Sequence, residues 1–215
     1  MATPRWPVVI FDLNGTLAGT IPLIIASYAH AWRTVMGTEP DLQQARTWLG
    51  MPTRDAFALA APEEKLDDLV AQFRSFEAAN LGQLARPIEG LNRALRTLAA
   101  DGATMGVVTS KSYQSTAATL ECVGLGDLTV LSAKENVEAQ KPAPDSLLHA
   151  IKSLGVNPDD VVHVCDAPQD VDAARAAGIA CVAVTWGAGL RGPLEVRTPD
   201  AVVDSPEELV AVLTD

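Results

Sequence analysis

Short apolar segments alternate with longer amphipathic ones along most of this chain. The apolar segments predict strands at 7–12, 104–109, 128–131, 161–165, 180–185 and 201–203. Several are apolar throughout, which is typical of strands buried on both faces of a parallel sheet. Helical periodicity lies between the later ones, at 89–101, 112–124, 143–154 and 169–177. This alternation predicts an α/β fold with a doubly wound parallel sheet.

Residues 19–86 interrupt the alternation and contain no convincing strand. Helical patterns instead occupy 21–36, 41–49, 52–60 and 62–84, and they are punctuated by Pro22, Pro40, Pro52 and Pro62. Because proline is tolerated in a first helical turn but not further inside, each one is expected to open a helix. We predict a helical cap domain at 19–86, inserted into an α/β core domain of 1–18 and 87–215. The alternative is a helical part of the core itself.

Composition and charge narrow the classes of protein. Hydrophobic residues make up 48% of the 215, which excludes a disordered chain. A net charge of −11 argues against a nucleic-acid partner, and it calls for a local cation wherever an anionic substrate binds. No apolar run is long enough to cross a bilayer and no secretory leader opens the chain, so we expect a cytoplasmic protein without a membrane partner.

Cysteine and histidine usage gives no metal motif. The chain has three cysteines without a Cys-x-x-Cys spacing, so reduced thiols are expected rather than a disulfide or a zinc site. The three histidines are scattered, and we expect each to be structural or on the surface.

A carboxylate follows the first predicted strand. The apolar run ends at Asp12, and a turn pair, Asn14-Gly15, and the hydroxyl of Thr16 come next. Open α/β sheets bind their ligands at this end of a strand. A carboxylate there can attack phosphorus, while loop amides and a hydroxyl bind phosphate oxygens. The structural alternative is a carboxylate that caps the following turn.

Three later features fit the same kind of centre. Thr109 ends the second predicted strand and Ser110 follows it, and a hydroxyl and the next amide can bind phosphate there. Lys141 lies between a loop and a proline-opened helix, where it can act as a point charge on phosphate. Asp166 and Asp170 follow the fourth strand and suit Mg²⁺. The structural alternatives are a helix N-cap, a surface lysine and favourable charge at a helix start. Together, in this order, the four features predict a phosphoryl-transfer site.

Six segments carry a resemblance to a known family. They are Phe11-Asp12-Leu13-Asn14-Gly15-Thr16-Leu17, Val108-Thr109-Ser110-Lys111, Lys141-Pro142-Ala143-Pro144, Cys165-Asp166-Ala167-Pro168-Gln169-Asp170, Ala173-Ala174-Arg175-Ala176-Ala177-Gly178-Ile179 and Val184-Thr185-Trp186-Gly187. The chain resembles the haloacid dehalogenase-like (HAD) hydrolases, and is most similar to their phosphoglycolate phosphatase, pyrophosphatase and β-phosphoglucomutase group. The match is close in the core and loose in the cap. It implies a Rossmann-like core with a helical cap, Mg²⁺ as cofactor and a small phosphorylated metabolite as substrate.

The resemblance also implies roles for individual residues. Asp12 would be the nucleophile and a metal ligand, and Asp166 would ligate the metal with support from Asp170. Position 14 would give a main-chain carbonyl to the metal and, in active phosphatases, a carboxyl general acid/base. The predicted catalytic residues are Asp12, Asn14 and Lys141; the phosphate-binding residues are Thr16, Thr109, Ser110 and Lys141; the metal site is Asp12, Asn14, Asp166 and Asp170.

Two positions depart from the family pattern. Asn14 replaces the second Asp of the first motif, and an amide cannot exchange a proton with the leaving oxygen or the hydrolytic water. We therefore expect Mg²⁺ and phosphate binding with weak turnover of alkyl phosphates. Acyl phosphates, aryl phosphates and pyrophosphate should suffer less. Cys165 replaces a glycine, and Asp166 beside it should raise rather than lower its thiol pKa.

Three explanations for Asn14 stay open: a deliberate inactivating substitution, a native residue in a chain with a changed task, or deamidation to Asp before Gly15. The leading functional prediction is a Mg²⁺-dependent phosphatase whose turnover is impaired by Asn14. The alternative is a non-catalytic protein of the same fold that binds Mg²⁺ and phosphate. The sequence does not indicate the oligomeric state or the identity of the substrate.

Overall fold

The computed structural model describes residues 3–214, and its centre is a six-stranded parallel sheet. The strands of this sheet are β1 (Val8–Phe11), β4 (Thr104–Val108), β5 (Thr129–Ser132), β6 (Val161–Cys165), β7 (Ala180–Val184) and β8 (Ala201–Val203). Their order is β5–β4–β1–β6–β7–β8, and every neighbouring pair is parallel. The doubly wound fold class predicted from the sequence is confirmed.

Helices cover both faces of the sheet. They are α5 (Leu91–Ala100), α6 (Tyr113–Cys122), α7 (Asp145–Leu154), α8 (Pro168–Ala177), α9 (Arg191–Glu195) and α10 (Pro206–Leu213). Residues of α5, α6 and α10 pack in one hydrophobic cluster with Val9, Phe11 and Val164 of the strands. Residues of α7, α8 and α9 pack in a second cluster with Val8 and Ile10. Alternate residues of β1 therefore enter opposite layers, which explains why the strand is apolar throughout.

Four helices form a separate layer over one edge of the sheet. These cap helices are α1 (Ile21–Met36), α2 (Leu42–Thr47), α3 (Thr53–Ala58) and α4 (Leu66–Leu84). Their own core centres on Tyr28, whose ring lies 5.3 Å from Trp48, 5.1 Å from Phe57 and 4.7 Å from Phe73 between centroids. This third hydrophobic cluster favours a separate cap insert and not the alternative of a helical part of the core. The predicted bounds of the insert, 19–86, stay a prediction.

A small antiparallel ribbon joins the two ends of the cap region. Strands β2 (Ala18–Gly19) and β3 (Arg86–Pro87) pair through Ala18 with Pro87 and Gly19 with Arg86. The expectation of no strand within 19–86 is wrong at these two ends. Two-residue strands are too short to leave a periodic pattern, so sequence periodicity missed them. None of the helices within residues 3–214 is long and apolar enough to cross a membrane.

Candidate active site

The predicted site residues at strand ends lie on one edge of the sheet. Asp12, Thr109 and Asp166 directly follow β1, β4 and β6, which are neighbours in the sheet. The amide of Asp12 donates to Val164 O at 2.9 Å, and the amide of Thr109 donates to Ser132 O at 3.0 Å. These bonds extend the strand ladder by one residue and fix where each side chain starts. The three side chains therefore begin at the carboxyl edge, where such sheets bind ligands.

Lys141 reaches this edge from the loop before α7. Its Nζ lies 2.7 Å from Asp12 Oδ1, forms a second ion pair with Asp170 Oδ1, and donates to Val108 O at 3.4 Å. The lysine side chain is only 3% exposed, and that of Asp170 is 4% exposed. Because a buried charge is costly without partners, this ammonium holds both carboxylates in place and is held by them.

The ionisation of these groups follows from burial and mutual charge. Burial alone would lower the pKa of Lys141, but the charges of Asp12 and Asp170 outweigh it and the pKa is raised. Burial would likewise raise the pKa of Asp170, but Lys141 and His163 outweigh it and the pKa is lowered. Burial raises the pKa of Asp12, and Lys141 opposes that rise. The lysine therefore stays charged beneath the predicted nucleophile.

Asp166 is almost fully buried, and two donors hold its carboxylate. Thr16 Oγ1 donates to Oδ1 at 2.9 Å, and the amide of Ala188 donates to Oδ2 at 2.6 Å. Burial and the nearby charge of Asp12 raise the pKa of Asp166 to about 8, although the Ala188 amide opposes them. A Cβ on Gly15, where φ is +83°, would lie 2.0 Å from Oδ2, and one on Gly187 would lie 2.1 Å from it. Both glycines are thus required for this close packing.

Asn14 lies beside Asp12 on the loop that leads to β2. Its Oδ1 accepts a hydrogen bond from the buried hydroxyl of Thr20 at 2.9 Å. The side chain at position 14 also lines the cavity next to Asp12. A residue at this position is therefore oriented toward the cavity, and Thr20, which sequence patterns did not single out, orients it.

His163 is a second residue that sequence reasoning missed as part of the site. It is fully buried on β6, as a structural histidine would be, and its Nδ1 lies 3.0 Å from Ile10 O. Its Nε2, however, lies 3.6 Å from Asp170 Oδ1. Since the histidine precedes Cys165 by two residues on the strand, the two share one face of the sheet, beneath α8. Strand periodicity predicts that His163 lies on this face of the sheet, but it does not predict that Asp170 is its partner.

A cavity of about 820 Å³ opens between the sheet edge and the cap helices. The core wall includes Asp12, Thr109, Ser110, Lys111, Lys141, Asp166 and Asp170, and the cap wall includes Ile24, Tyr28, Met51, Arg54, Phe73, Arg74 and Glu77. Seven of the eight predicted site residues, Asn14 among them, thus line one cavity. Thr16 does not, since its hydroxyl is bonded to Asp166, and its predicted contact with phosphate stays a prediction.

Polar contacts join the cap region to the core. Lys111 Nζ lies 2.6 Å from Glu77 Oε1 on α4, and both side chains are largely buried. Gln169 Nε2, on α8, donates to Leu49 O at 2.9 Å. Lys111 directly follows the predicted phosphate-binding pair Thr109 and Ser110, so the first contact ties the cap to that loop.

The donor set at the sheet edge fits a small divalent cation. Within residues 3–214, no group of three or more His, Cys, Asp and Glu side chains forms an all-protein metal cage. Mg²⁺ does not need one, because it commonly takes one or two carboxylates together with waters and phosphate oxygens. Asp12 and Asp166 are two such carboxylates, and burial together with the charge of Asp12 raises the pKa of Asp166. Asp170, by contrast, is occupied by Lys141.

The cysteines have no catalytic geometry. All three carry free thiols; Cys122 is exposed, and the Sγ atoms of the buried Cys165 and Cys181 lie 3.6 Å apart. Burial and the neighbouring Cys181 raise the pKa of the Cys165 thiol, as expected for a residue that is not a reactive nucleophile.

Comparison with known proteins agrees with this geometry. The model of the haloacid dehalogenase-like hydrolase family matches residues 9–184. The chain is 31% identical over 208 residues to the pyrophosphatase PpaX of Halalkalibacterium halodurans, with 95% of each protein covered. It is 29% identical over 208 residues to PpaX of Bacillus cereus, with 96% of each covered.

Solved structures show the same fold. A haloacid dehalogenase-like family hydrolase from Streptococcus pneumoniae superposes with a TM-score of 0.87 at 21% identity, covering 97% of this chain and 98% of that one. A predicted phosphoglycolate phosphatase from Haemophilus somnus superposes with a TM-score of 0.86 at 24% identity, with the same coverage. The fold and the site thus define a hydrolase of the phosphatase type. This chain belongs to the haloacid dehalogenase-like hydrolase family.

Proposed function

We propose that this protein is a Mg²⁺-dependent phosphatase that acts on a small phosphorylated metabolite through an aspartyl-phosphate on Asp12. One observation carries the proposal: the Asp12 carboxylate is held by Lys141 at a sheet edge that it shares with Asp166, facing a large cavity. Mg²⁺, bound by Asp12, Asp166 and the main-chain carbonyl of residue 14, would neutralise phosphoryl oxygens. The cytoplasmic location expected from the sequence stays a prediction.

The residues of the chain divide the reaction between them. Asp12 attacks phosphorus, so that an O–P bond to the carboxylate forms while the bond to the leaving oxygen breaks. Lys141 neutralises charge on the transferring group, and Thr109 and Ser110, which line the cavity, would bind its oxygens. Water then attacks the aspartyl-phosphate, which releases phosphate and frees Asp12. The cap helices limit access of bulk water to the cavity.

Asn14 sets which leaving groups depart readily. An alkoxide needs a proton as it leaves, and the carboxamide of Asn14 is too weak an acid to give one. Phosphate leaving from pyrophosphate, a carboxylate from an acyl phosphate and a phenolate from an aryl phosphate need less help. We therefore propose that the chain favours such substrates, a preference consistent with its similarity to proteins named pyrophosphatases.

Asn14 also favours a second function, that of a binding protein without turnover. A protein that retains Asp12, Lys141 and Asp166 but lacks the acid/base at position 14 can bind Mg²⁺ and phosphate without turnover. Such a binding protein would gain thermal stability from Mg²⁺ and phosphate together, because ligands that bind only the folded state stabilise it.

Phosphate release from matched substrates separates the two functions. Pyrophosphate, p-nitrophenyl phosphate and ethyl phosphate are assayed with Mg²⁺ or EDTA, using the parent protein and Asn14→Asp. A phosphatase releases phosphate only with Mg²⁺, and Asn14→Asp raises the rate on ethyl phosphate by about 10²–10⁴-fold, with a smaller gain on the other two. Asp12→Asn is the inactive control.

Two outcomes contradict the proposal. Equal rates of ethyl phosphate hydrolysis for Asn14→Asp and the parent would refute the acid/base argument. No release by either protein, together with Mg²⁺-linked stabilisation by phosphate, would establish the binding function instead.

A further inference from the structure

The part of the cavity under the cap helices is larger than a phosphoryl group needs. The whole cavity measures about 820 Å³, and pockets of about 300–1,000 Å³ hold drug-sized ligands. The inference below rests on the proposed function. If the phosphoryl group lies against Asp12 and Lys141, the leaving group must lie against the cap.

Only two cationic side chains of the cap region face this cavity. The region from 19 to 86 contains six lysines and arginines, namely Arg33, Arg46, Arg54, Lys65, Arg74 and Arg86. Of these, Arg54 and Arg74 line the cavity. The other four are therefore not placed to contact a leaving group.

Arg54 already pairs with two exposed carboxylates. Its Nη2 lies 2.6 Å from Glu63 Oε1, and its Nη1 pairs with Asp67 Oδ1. Arg74 differs, because within residues 3–214 its guanidinium has no ion pair or hydrogen bond. Its five donors are thus available to a ligand.

The acidic neighbour of Arg74, Glu77, also has an ion-pair partner. Glu77 lies three residues later on α4 and lines the same cavity, but its carboxylate pairs with Lys111 at 2.6 Å. On the core wall, the adjacent Lys134 and Glu135 cancel in formal charge. The charge left over on the cap wall is that of Arg74.

We infer that Arg74 determines specificity by binding an oxyanion on the leaving group of the substrate. A guanidinium presents planar paired donors that match a carboxylate or a phosphate bidentately. The substrate class is then a phosphate ester, or a diphosphate, whose leaving group ends in a carboxylate or a second phosphate. Arg74 acts by holding that group while Asp12 and Lys141 hold the phosphoryl group being transferred.

Substrates matched in size and differing in charge test the inference. Phosphoglycolate and ethyl phosphate both carry a two-carbon leaving group, and only the first adds a carboxylate; pyrophosphate supplies the phosphate arm. Arg74→Gln should lower kcat/KM for phosphoglycolate, for pyrophosphate or for both by about 10–150-fold, the range for a hydrogen bond to a charged group. Ethyl phosphate should change less than about threefold, because it makes no such bond. Arg74→Lys should fall between.

Arg46→Gln is the matched control, since Arg46 is an exposed cap arginine that does not line the cavity. Equal losses in Arg46→Gln and Arg74→Gln, or an unchanged preference for both anionic substrates in Arg74→Gln, would overturn the inference. Calorimetric binding of phosphoglycolate and ethyl phosphate, with Mg²⁺ present, gives an independent readout. If no substrate is hydrolysed, the phosphatase proposal fails, while selective loss of phosphoglycolate binding in Arg74→Gln still supports the role of Arg74.

Discussion

Replacing Lys141 with methionine removes the cation on which two buried carboxylates depend. Methionine keeps the length and the apolar stem of the side chain, so the change isolates the ammonium. Without it, Asp12 and Asp170 face each other across a site where their side chains are 13% and 4% exposed. Breaking a buried ion pair from one side costs about 3–5 kcal/mol, because the remaining charge stays buried and uncompensated.

That cost predicts a large fall in thermal stability. In a domain of this length, each kcal/mol lowers Tm by about 2–4 °C, so Lys141→Met should lower it by about 6–20 °C. The fall should be smaller at pH 5 than at pH 8. Unpaired buried carboxylates have a pKa above their unfolded value, and the stability of the protonated form is lost as pH rises through that pKa.

Thermal unfolding in EDTA measures this loss without any contribution from metal. Lys152→Met is the control, because Lys152 is exposed on α7 and has no ion pair among residues 3–214. Lys141→Met combined with Asp170→Asn should recover part of the loss, since removing both charges costs less than removing one. A Tm for Lys141→Met within about 2 °C of Lys152→Met would refute the reasoning about this network.

Two further predictions concern Asp166. Its pKa of about 8 lies above the unfolded value, so in EDTA the protonated carboxyl stabilises the fold at low pH, and Tm should fall as pH rises from 6 to 9. Asp166→Asn should flatten this pH profile of Tm and abolish stabilisation by Mg²⁺. An unchanged profile in Asp166→Asn would show that another group titrates. Gly187→Ala should lower both Tm and Mg²⁺-dependent activity, because its Cβ would lie 2.1 Å from Asp166 Oδ2. The control is Gly192→Ala, whose Cβ meets nothing within 4 Å and which should be nearly neutral. Equal effects of the two substitutions would contradict the packing argument.

The sequence predicted the centre of the sheet well because β1, β6 and β7 are buried on both faces. A segment such as Val8–Phe11 then has no polar residue to obscure it, and its end at Asp12 marks the edge of the sheet. The ribbon of β2 and β3 left no such signal, because its strands have two residues each. The same reasoning placed Thr109 and Asp166 correctly at strand ends but could not show which of their neighbours would hold them.

Partners from distant segments account for what the sequence could not predict. The hydroxyl of Thr16 turns to Asp166, 150 residues away along the chain, and the amide of Ala188 completes that carboxylate's hydrogen bonds. His163 has the ordinary pattern of a buried strand residue, and its approach to Asp170 depends on how α8 packs on the sheet. The sequence likewise could not show which cap arginine is free to bind a leaving group, because that depends on the ion pairs of Arg54, which join α3 to a later part of the cap.

The charges at the sheet edge link the proposed binding of a metal to the proposed binding of an anionic substrate. Asp12, Asp166 and Asp170 together carry three negative charges when ionised, and Lys141 offsets one, which leaves −2 in a largely buried site. Burial and the neighbouring charge of Asp12 both disfavour the ionised form of Asp166, and they raise its pKa to about 8. A divalent cation would remove the need for a proton on Asp166 and leave the edge neutral. A phosphate dianion would then enter a site without net repulsion. An oxyanion on its leaving group would need a separate cation, and of the two arginines on the cap wall Arg74 is the one without a carboxylate partner within residues 3–214.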